Sequence, residues 1–216
     1  MLRSVRSNLE ENMANTPEPN FNSRRGLDRI ISLSDAVIAV AITLMVVQVQ
    51  MPESVAAHQL PQALRGLIPT FTTYVFSFYI VAVYWIEHHR MFRYIKRYDD
   101  GLVWLNLLLL MLIALVPFAT NLLDTYAGEQ IVVFIYAALI AVVGLVTTGM
   151  WWYATHRHRL VDKDLCPLVI RKGIVVRLVA PVVFILSIGI AIFSGPAAMY
   201  SWFAIIPLVV ITHRIV

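Results

Sequence analysis

A succession of long apolar runs separated by short polar connections limits this chain more than any single motif does. Roughly 20 residues, rising about 1.5 Å each, cross a hydrocarbon core about 30 Å thick as a helix. Runs of that order occupy residues of about 28–50, 64–88, 102–123, 131–153, 175–193 and 197–212. A soluble domain of 216 residues can build a core, but it has no use for so many separate apolar runs. With 59% hydrophobic and 14% charged residues, and a mean hydropathy of +0.74, the chain reads as an all-α integral membrane protein with six transmembrane helices. Residues 1–26 are polar and irregular, with Pro17, Pro19, several Asn and the pair Arg24-Arg25, and lack the apolar core of a signal peptide. They are expected to form a mobile cytosolic tail ahead of one six-helix domain over residues 27–216.

The basic residues fix the expected orientation, because cytoplasmic loops carry excess Lys and Arg. Six spans and an inside N-terminus collect Arg3 to Arg29, Arg90 to Arg97, Arg157 to Arg177, and Arg214 on one side; only Arg65 of the 17 falls on the other. An odd number of spans spoils this asymmetry, so both termini are expected in the cytoplasm, the protein being multi-pass in the plasma membrane. The same distribution accounts for the formal net charge of +4 without any nucleic-acid partner. The single cysteine, Cys166, excludes an intramolecular disulfide. No convincing internal repeat relates the two halves, which disfavours a transporter of inverted repeats and favours a pore, if there is one, made by several chains.

The first span, DRIISLSDAVIAVAITLMVVQVQ from Asp28 to Gln50, carries charge where an anchor would not. An ionisable group at membrane depth costs on the order of 2.5 to 3.5 kcal/mol unless it finds a partner or water, so Arg29 and Asp35 need a reason to be there. Beyond Asp35, Val40, Thr43, Leu44 and Val47 stand at i, i+3, i+4 and i+7, a single helical face that is apolar except for one hydroxyl. Ala36, Ala39 and Ala41 are small enough to let neighbouring helices approach, so several copies of this face can gather around an axis. Spacing alone favours the plainer reading of the same stripe as a lipid-facing or intrasubunit surface on which Thr43 bonds back to the carbonyl of Ala39.

The topology brings polar groups of three spans to similar depth: Arg29, Ser34 and Asp35 on the first, Trp85, His88 and His89 on the second, and Asn106 on the third. They are expected to form a structural network in which Asp35 takes donors from Arg29, a histidine, Trp85 or Asn106. Adjacent His88 and His89 point about 100° apart on a helix and do not readily share one ion. His156, His158, Asp162, Asp164 and Cys166 form a denser cluster, but their spacing fits no zinc pattern and reads as a solvated basic loop. No metal or other cofactor is expected, and with no nucleophile elbow, phosphate loop or paired intramembrane carboxylates the chain does not read as an enzyme.

Arg29 to Asp35 (RIISLSD) followed by AVIAVAITLMVV resembles the R-x-x-x-F-S-D signature and first helix of the bacterial transmembrane protein 175 potassium channels. Trp85-Ile-Glu-His88-His89-Arg-Met-Phe92 resembles that family's W-x-x-H-H-x-x-F, and Asn106-Leu107 with Pro117-Phe118-Ala-Thr120 resembles its N-L and P-F-x-T. Leu33 departs from the pattern at the aromatic position, where ring packing is lost. The resemblance implies a potassium-permeable leak channel, homotetrameric in bacteria, lined by the first helix and lacking the usual potassium-filter loop. By position the constriction falls on Val40, Leu44 and Val47, and the pore threonine on Thr43. Val40 stands where members often carry Ile or Leu, which widens the constriction and leaves weak to moderate preference for K+ over Na+. The partners implied are K+ and other monovalent cations, membrane lipid and three further copies of the chain. A proton- or cation-coupled carrier using Asp35 and the histidines of the second span is the competing expectation, and a non-conducting scaffold is a third.

Overall fold

The structure, a computed structural model, describes residues 21–51, 55–127 and 129–204. Its long helices are α1 (Phe21–Val46), α3 (Ile68–Tyr94), α4 (Asp100–Thr125), α5 (Gln130–Thr155) and α6 (Pro167–Ala191). Two short helices, α2 (Leu60–Gly66) and α7 (Gly195–Ser201), precede α3 and follow α6. Among the described residues five helices are long and apolar enough to cross a membrane. The expected sixth span is represented by α7 and a 3-10 turn over Trp202–Ala204; the rest of it lies outside the described residues.

Local chemistry explains where these helices begin. The Asp99 side chain accepts the Leu102 amide at 2.9 Å, capping α4, and Asp100 in the first turn suits the positive end of the helix dipole. Proline sits in the first turn of α3, α6 and α7, where its missing N–H removes no helical bond. Helix α1 starts at Phe21, inside the stretch expected to be an irregular tail, and α6 starts at Pro167 rather than near 175. In both cases the helix continues past the apolar run into polar residues. Hydropathy marks the hydrocarbon boundary, whereas the backbone goes on satisfying its own hydrogen bonds beyond it.

Helix α5 is the centre of the bundle. It packs against α4 on one side and α6 on the other, and fourteen of its residues are buried, from Val132 to Thr155. Crossing of α5 and α6 depends on Gly144, where an added Cβ would sit 2.7 Å from Cδ of Pro181 and 2.8 Å from the Tyr84 hydroxyl. Trp202, Tyr136 and Phe184 close one end of this core, with ring centroids of Tyr136 and Trp202 5.1 Å apart. Helix α1 stands at the edge of the bundle and rests on α4 and α3.

At the opposite end of the bundle the α3–α4 and α5–α6 connections are joined. Ile95 and Val161 form an antiparallel bridge, and the amides of Lys96 and Arg97 donate to the Leu160 carbonyl at 2.9 and 3.3 Å. Asp99 accepts from the Tyr153 hydroxyl and from Nε of Arg159, both at 2.9 Å. Arg157 and His158, both at φ 53°, make the left-handed turn that reverses the chain into this clasp. The loop expected to be simply solvated is thereby tied to its neighbour.

The first helix and its polar anchor

Helix α1 has two apolar faces with different fates. Ser34, Ile38, Ala41 and Met45 recur at helical spacing, are buried, and form the face turned to the bundle. Val40, Leu44 and Val47 are 56%, 51% and 60% exposed, and Ala36, Ala39 and Thr43 share that uncovered side. A shallow apolar notch of about 240 Å³ runs between this side and α4, bounded by Ala36, Val40, Leu44 and Ala114. The Thr43 hydroxyl donates to the Val40 carbonyl at 2.9 Å, one residue along from the expected acceptor, Ala39. Its proton is thus committed to the helix, and its oxygen lone pairs stay available to accept.

A buried polar anchor fixes the rotation of α1. Asn106 of α4 donates through Nδ2 to the Ser34 hydroxyl at 3.0 Å, and its Oδ1 lies 2.9 Å from Nε2 of His88 on α3. Ser34 passes its own proton to the Ile30 carbonyl at 2.8 Å. Because an amide oxygen only accepts, the ring proton of His88 belongs on Nε2. The His88 ring also lies against Phe92, with centroids 4.4 Å apart. Ser34, His88 and Asn106 are each exposed by 1% or less, so in this low-dielectric setting each bond weighs more than it would in water. Beside them the Trp85 indole donates to Asp35 at 2.8 Å.

Two residues expected in the network stand apart from it. Arg29 is exposed and makes no ion pair with Asp35 among the described residues. Six residues at about 100° each leave the two side chains on different sides of α1. His89 is also exposed and lies against Trp85, with ring centroids 5.9 Å apart.

The structure adds contacts that sequence reasoning missed. Gln48, just past the end of α1, donates to the Pro117 carbonyl at 2.7 Å and straps that end to α4; an amide directly following the apolar run was its only signal. Ser77 and Tyr136 are bonded at 3.0 Å, and the Tyr84 hydroxyl donates to the Ile140 carbonyl at 3.1 Å. Glu87 is flanked by Arg90 at 2.8 Å and Arg177 at 3.4 Å. Among the described residues no three His, Cys, Asp or Glu side chains converge as metal ligands. His156 of the polar loop lies over Trp152, and Nδ1 of His158 is 3.1 Å from the Asp162 carbonyl.

Residues 29–117, which hold the helices carrying the anchor, match the family described as the endosomal/lysosomal potassium channel TMEM175. A potassium channel of Streptomyces collinus is 30% identical over 175 residues, spanning 79% of this chain and 85% of that one. The endosomal/lysosomal proton channel TMEM175 of Danio rerio is 31% identical over 137 residues, 63% of this chain but 26% of that longer protein. The crystal structure of a lysosomal potassium-selective channel TMEM175 homolog from Chamaesiphon minutus superposes with a TM-score of 0.74 at 26% identity, covering 88% of this chain and 97% of the other. A chain that shares this fold, and matches a bacterial relative over most of both lengths, is a multi-pass membrane protein that belongs to the TMEM175 family alongside its bacterial members.

Proposed function

We propose that this chain is a potassium channel subunit, that four copies assemble around a common axis, and that the uncovered face of α1 lines the pore. One observation carries the reading: α1 buries one apolar face in its own bundle and leaves a second, containing Val40, Thr43 and Leu44 and continued by Val47 in the turn beyond it, largely uncovered by the described residues. The relatives favour potassium as the permeant ion. The bacterial potassium channel is matched over 85% of its length, the vertebrate proton channel over 26%.

In this reading conduction is controlled by wetting. Rings of Val40, Leu44 and Val47 shed water when narrow, and an ion stripped of hydration cannot pass; slight dilation or rotation of α1 refills the constriction. Thr43, its proton held by Val40, offers oxygen lone pairs at the same level and favours the cation that gives up water more easily. From Ala36 to Val47 the helix has no carboxylate, so selection for K+ over Na+ is weak to moderate. The anchor of Ser34, Asp35, Trp85, His88 and Asn106 sets which residues meet the axis, since a one-residue slip turns the helix by about 100°. Both termini and the Lys- and Arg-rich loops face the cytoplasm of a plasma membrane under the same charge rule.

The test is potassium flux in proteoliposomes together with particle mass in detergent. The expected mass, after subtracting bound detergent, is four times the 24.5 kDa of one chain. Val40→Ala and Leu44→Ala each widen the constriction and raise flux several-fold. Unchanged flux in both variants, with wild-type protein active, removes α1 from the pore; saturable flux without unitary current steps makes the protein a carrier.

A further inference from the structure

Where α3, α5 and α6 meet near the basic end of the bundle, a small cavity of about 120 Å³ is bounded by Arg90, Lys172 and Arg177, with one carboxylate, Glu87. Arg177 is the unusual member. It is only 8% exposed, yet it stands in a membrane-spanning helix. Its guanidinium donates to the carbonyls of Gly173 at 2.9 Å and Glu87 at 3.3 Å, and lies 4.8 Å from the centre of the Trp151 ring. Its Nε is buried and has no hydrogen-bond partner.

Glu87 is closer to Arg90, at 2.8 Å, than to Arg177, at 3.4 Å, and Lys172 makes no ion pair among the described residues. Glu87 is thus held mainly by Arg90, and Lys172 and Arg177 border a space that can hold a small polar group. A buried cation without full compensation is costly unless a counter-charge is supplied, and a planar guanidinium beside an ammonium is a common arrangement for phosphate oxygens.

Apolar surface beside the site separates two sources of phosphate. Arg177 lies ten residues along α6 from Pro167, about 15 Å along the helix axis, and the cavity is flanked there by apolar residues that a headgroup's acyl chain can use and a free anion cannot. Val169 and Val176 line the cavity beside the cations, and Leu168 and Val175 are exposed on the same helix, so an acyl chain has an apolar surface to follow. Basic pockets between transmembrane helices at a membrane face take anionic lipid headgroups. We propose that this cavity binds the phosphate of an anionic phospholipid, with Lys172 and Arg177 as its principal donors. The site is separate from the α1 face and does not depend on the conduction mechanism.

Native mass spectrometry of the full chain, released from mixed micelles of equal phosphatidylglycerol and phosphatidylcholine, tests the proposal. The wild-type protein is expected to retain phosphatidylglycerol over phosphatidylcholine at least threefold. Lys172→Gln should lose most of that preference and Lys172→Arg should keep it. Arg171→Gln, at the adjacent exposed position outside the cavity, should retain it and so reports diffuse surface attraction. Millimolar inorganic phosphate should not displace the lipid. Equal retention of the two lipids, an unaltered Lys172→Gln variant, or an equal loss in Arg171→Gln each overturns the assignment. Displacement by inorganic phosphate makes the site one for a free anion and overturns the lipid reading. The Lys172→Arg protein shows whether a loss in Lys172→Gln reflects charge rather than folding.

Discussion

Asn106 does more to position α1 than its size suggests. One amide group serves two helices, donating to Ser34 on α1 and accepting from His88 on α3. Asn106→Leu leaves the His88 ring N–H buried without an acceptor and removes the second bond of the Ser34 hydroxyl, which keeps its own bond to the Ile30 carbonyl, whereas Ser34→Ala strands a single amide proton. With interhelical hydrogen bonds in membrane bundles worth about 0.6 kcal/mol on average and up to about 1.7, Asn106→Leu is expected to cost about 2 kcal/mol and Ser34→Ala about half that. Thermal unfolding of the detergent-solubilised protein, followed by tryptophan fluorescence, checks the order; equal losses would mean that the His88 bond contributes nothing. Thr43 is the contrasting residue, because its hydroxyl bonds only within its own helix. If its lone pairs meet the permeant ion, Thr43→Ala lowers the preference for K+ over Na+ without lowering stability. A reversal potential identical to wild type in mixed K+ and Na+ gradients would separate Thr43 from selectivity.

At the scale of the element, α1 contrasts Leu44 with its neighbour Met45. Met45 is fully buried, and its sulfur accepts from the Thr120 hydroxyl at 3.8 Å, whereas Leu44 is 51% exposed. Met45→Ala is expected to destabilise the protein by about 2–5 kcal/mol through the cavity it leaves, while Leu44→Ala leaves the fold of the single chain intact and acts on flux. Paired melting and flux measurements distinguish the two, and a large melting loss in Leu44→Ala with none in Met45→Ala would reverse the assigned faces. Periodicity identified the stripe of Val40, Thr43, Leu44 and Val47, but not whether it faces the bundle, since membrane stripes are apolar whether they meet lipid, protein or pore; the opposite face of Ile38, Ala41 and Met45 emerged only from the structure. The depth of Ser34, His88 and Asn106 could be read from the order of the spans. Their pairing could not, and Arg29 shows why: only the rotation of the built helix turns it away from Asp35. Apolar runs likewise located five helix centres, while charged ends such as Arg171 to Arg177 on α6 hid two turns of helix that Pro167 alone announced.

On the scale of the whole molecule, the two polar connections show what local pattern cannot reveal. Asp99 and Arg159 are sixty residues apart in sequence and 2.9 Å apart in space, and nothing near either one announces the other. Burial of the Asp99 carboxylate works against its ionisation, but the Leu102 amide, the Tyr153 hydroxyl and the Arg159 guanidinium together outweigh that and hold its carboxyl below the ordinary value of 3.8. A carboxyl whose folded value is depressed adds stability that is complete above its unfolded value and is lost as pH falls through the folded one. The clasp between the α3–α4 and α5–α6 connections is therefore intact at neutral pH and weakens only below about pH 4. Since Asp99 is partly exposed, solvent screens the pair and the loss is about 1 kcal/mol. Asp99→Asn keeps a good N-cap for α4 but cannot change charge, so its melting temperature, taken from pH 6 down to pH 3, should start lower than wild type and fall less steeply. Other carboxylates titrate in both proteins and cancel in the difference between the two curves. Parallel curves would show that the Asp99 charge does not hold the loops, leaving the Ile95–Val161 bridge and the Leu160 carbonyl as the contacts that join this end of the bundle.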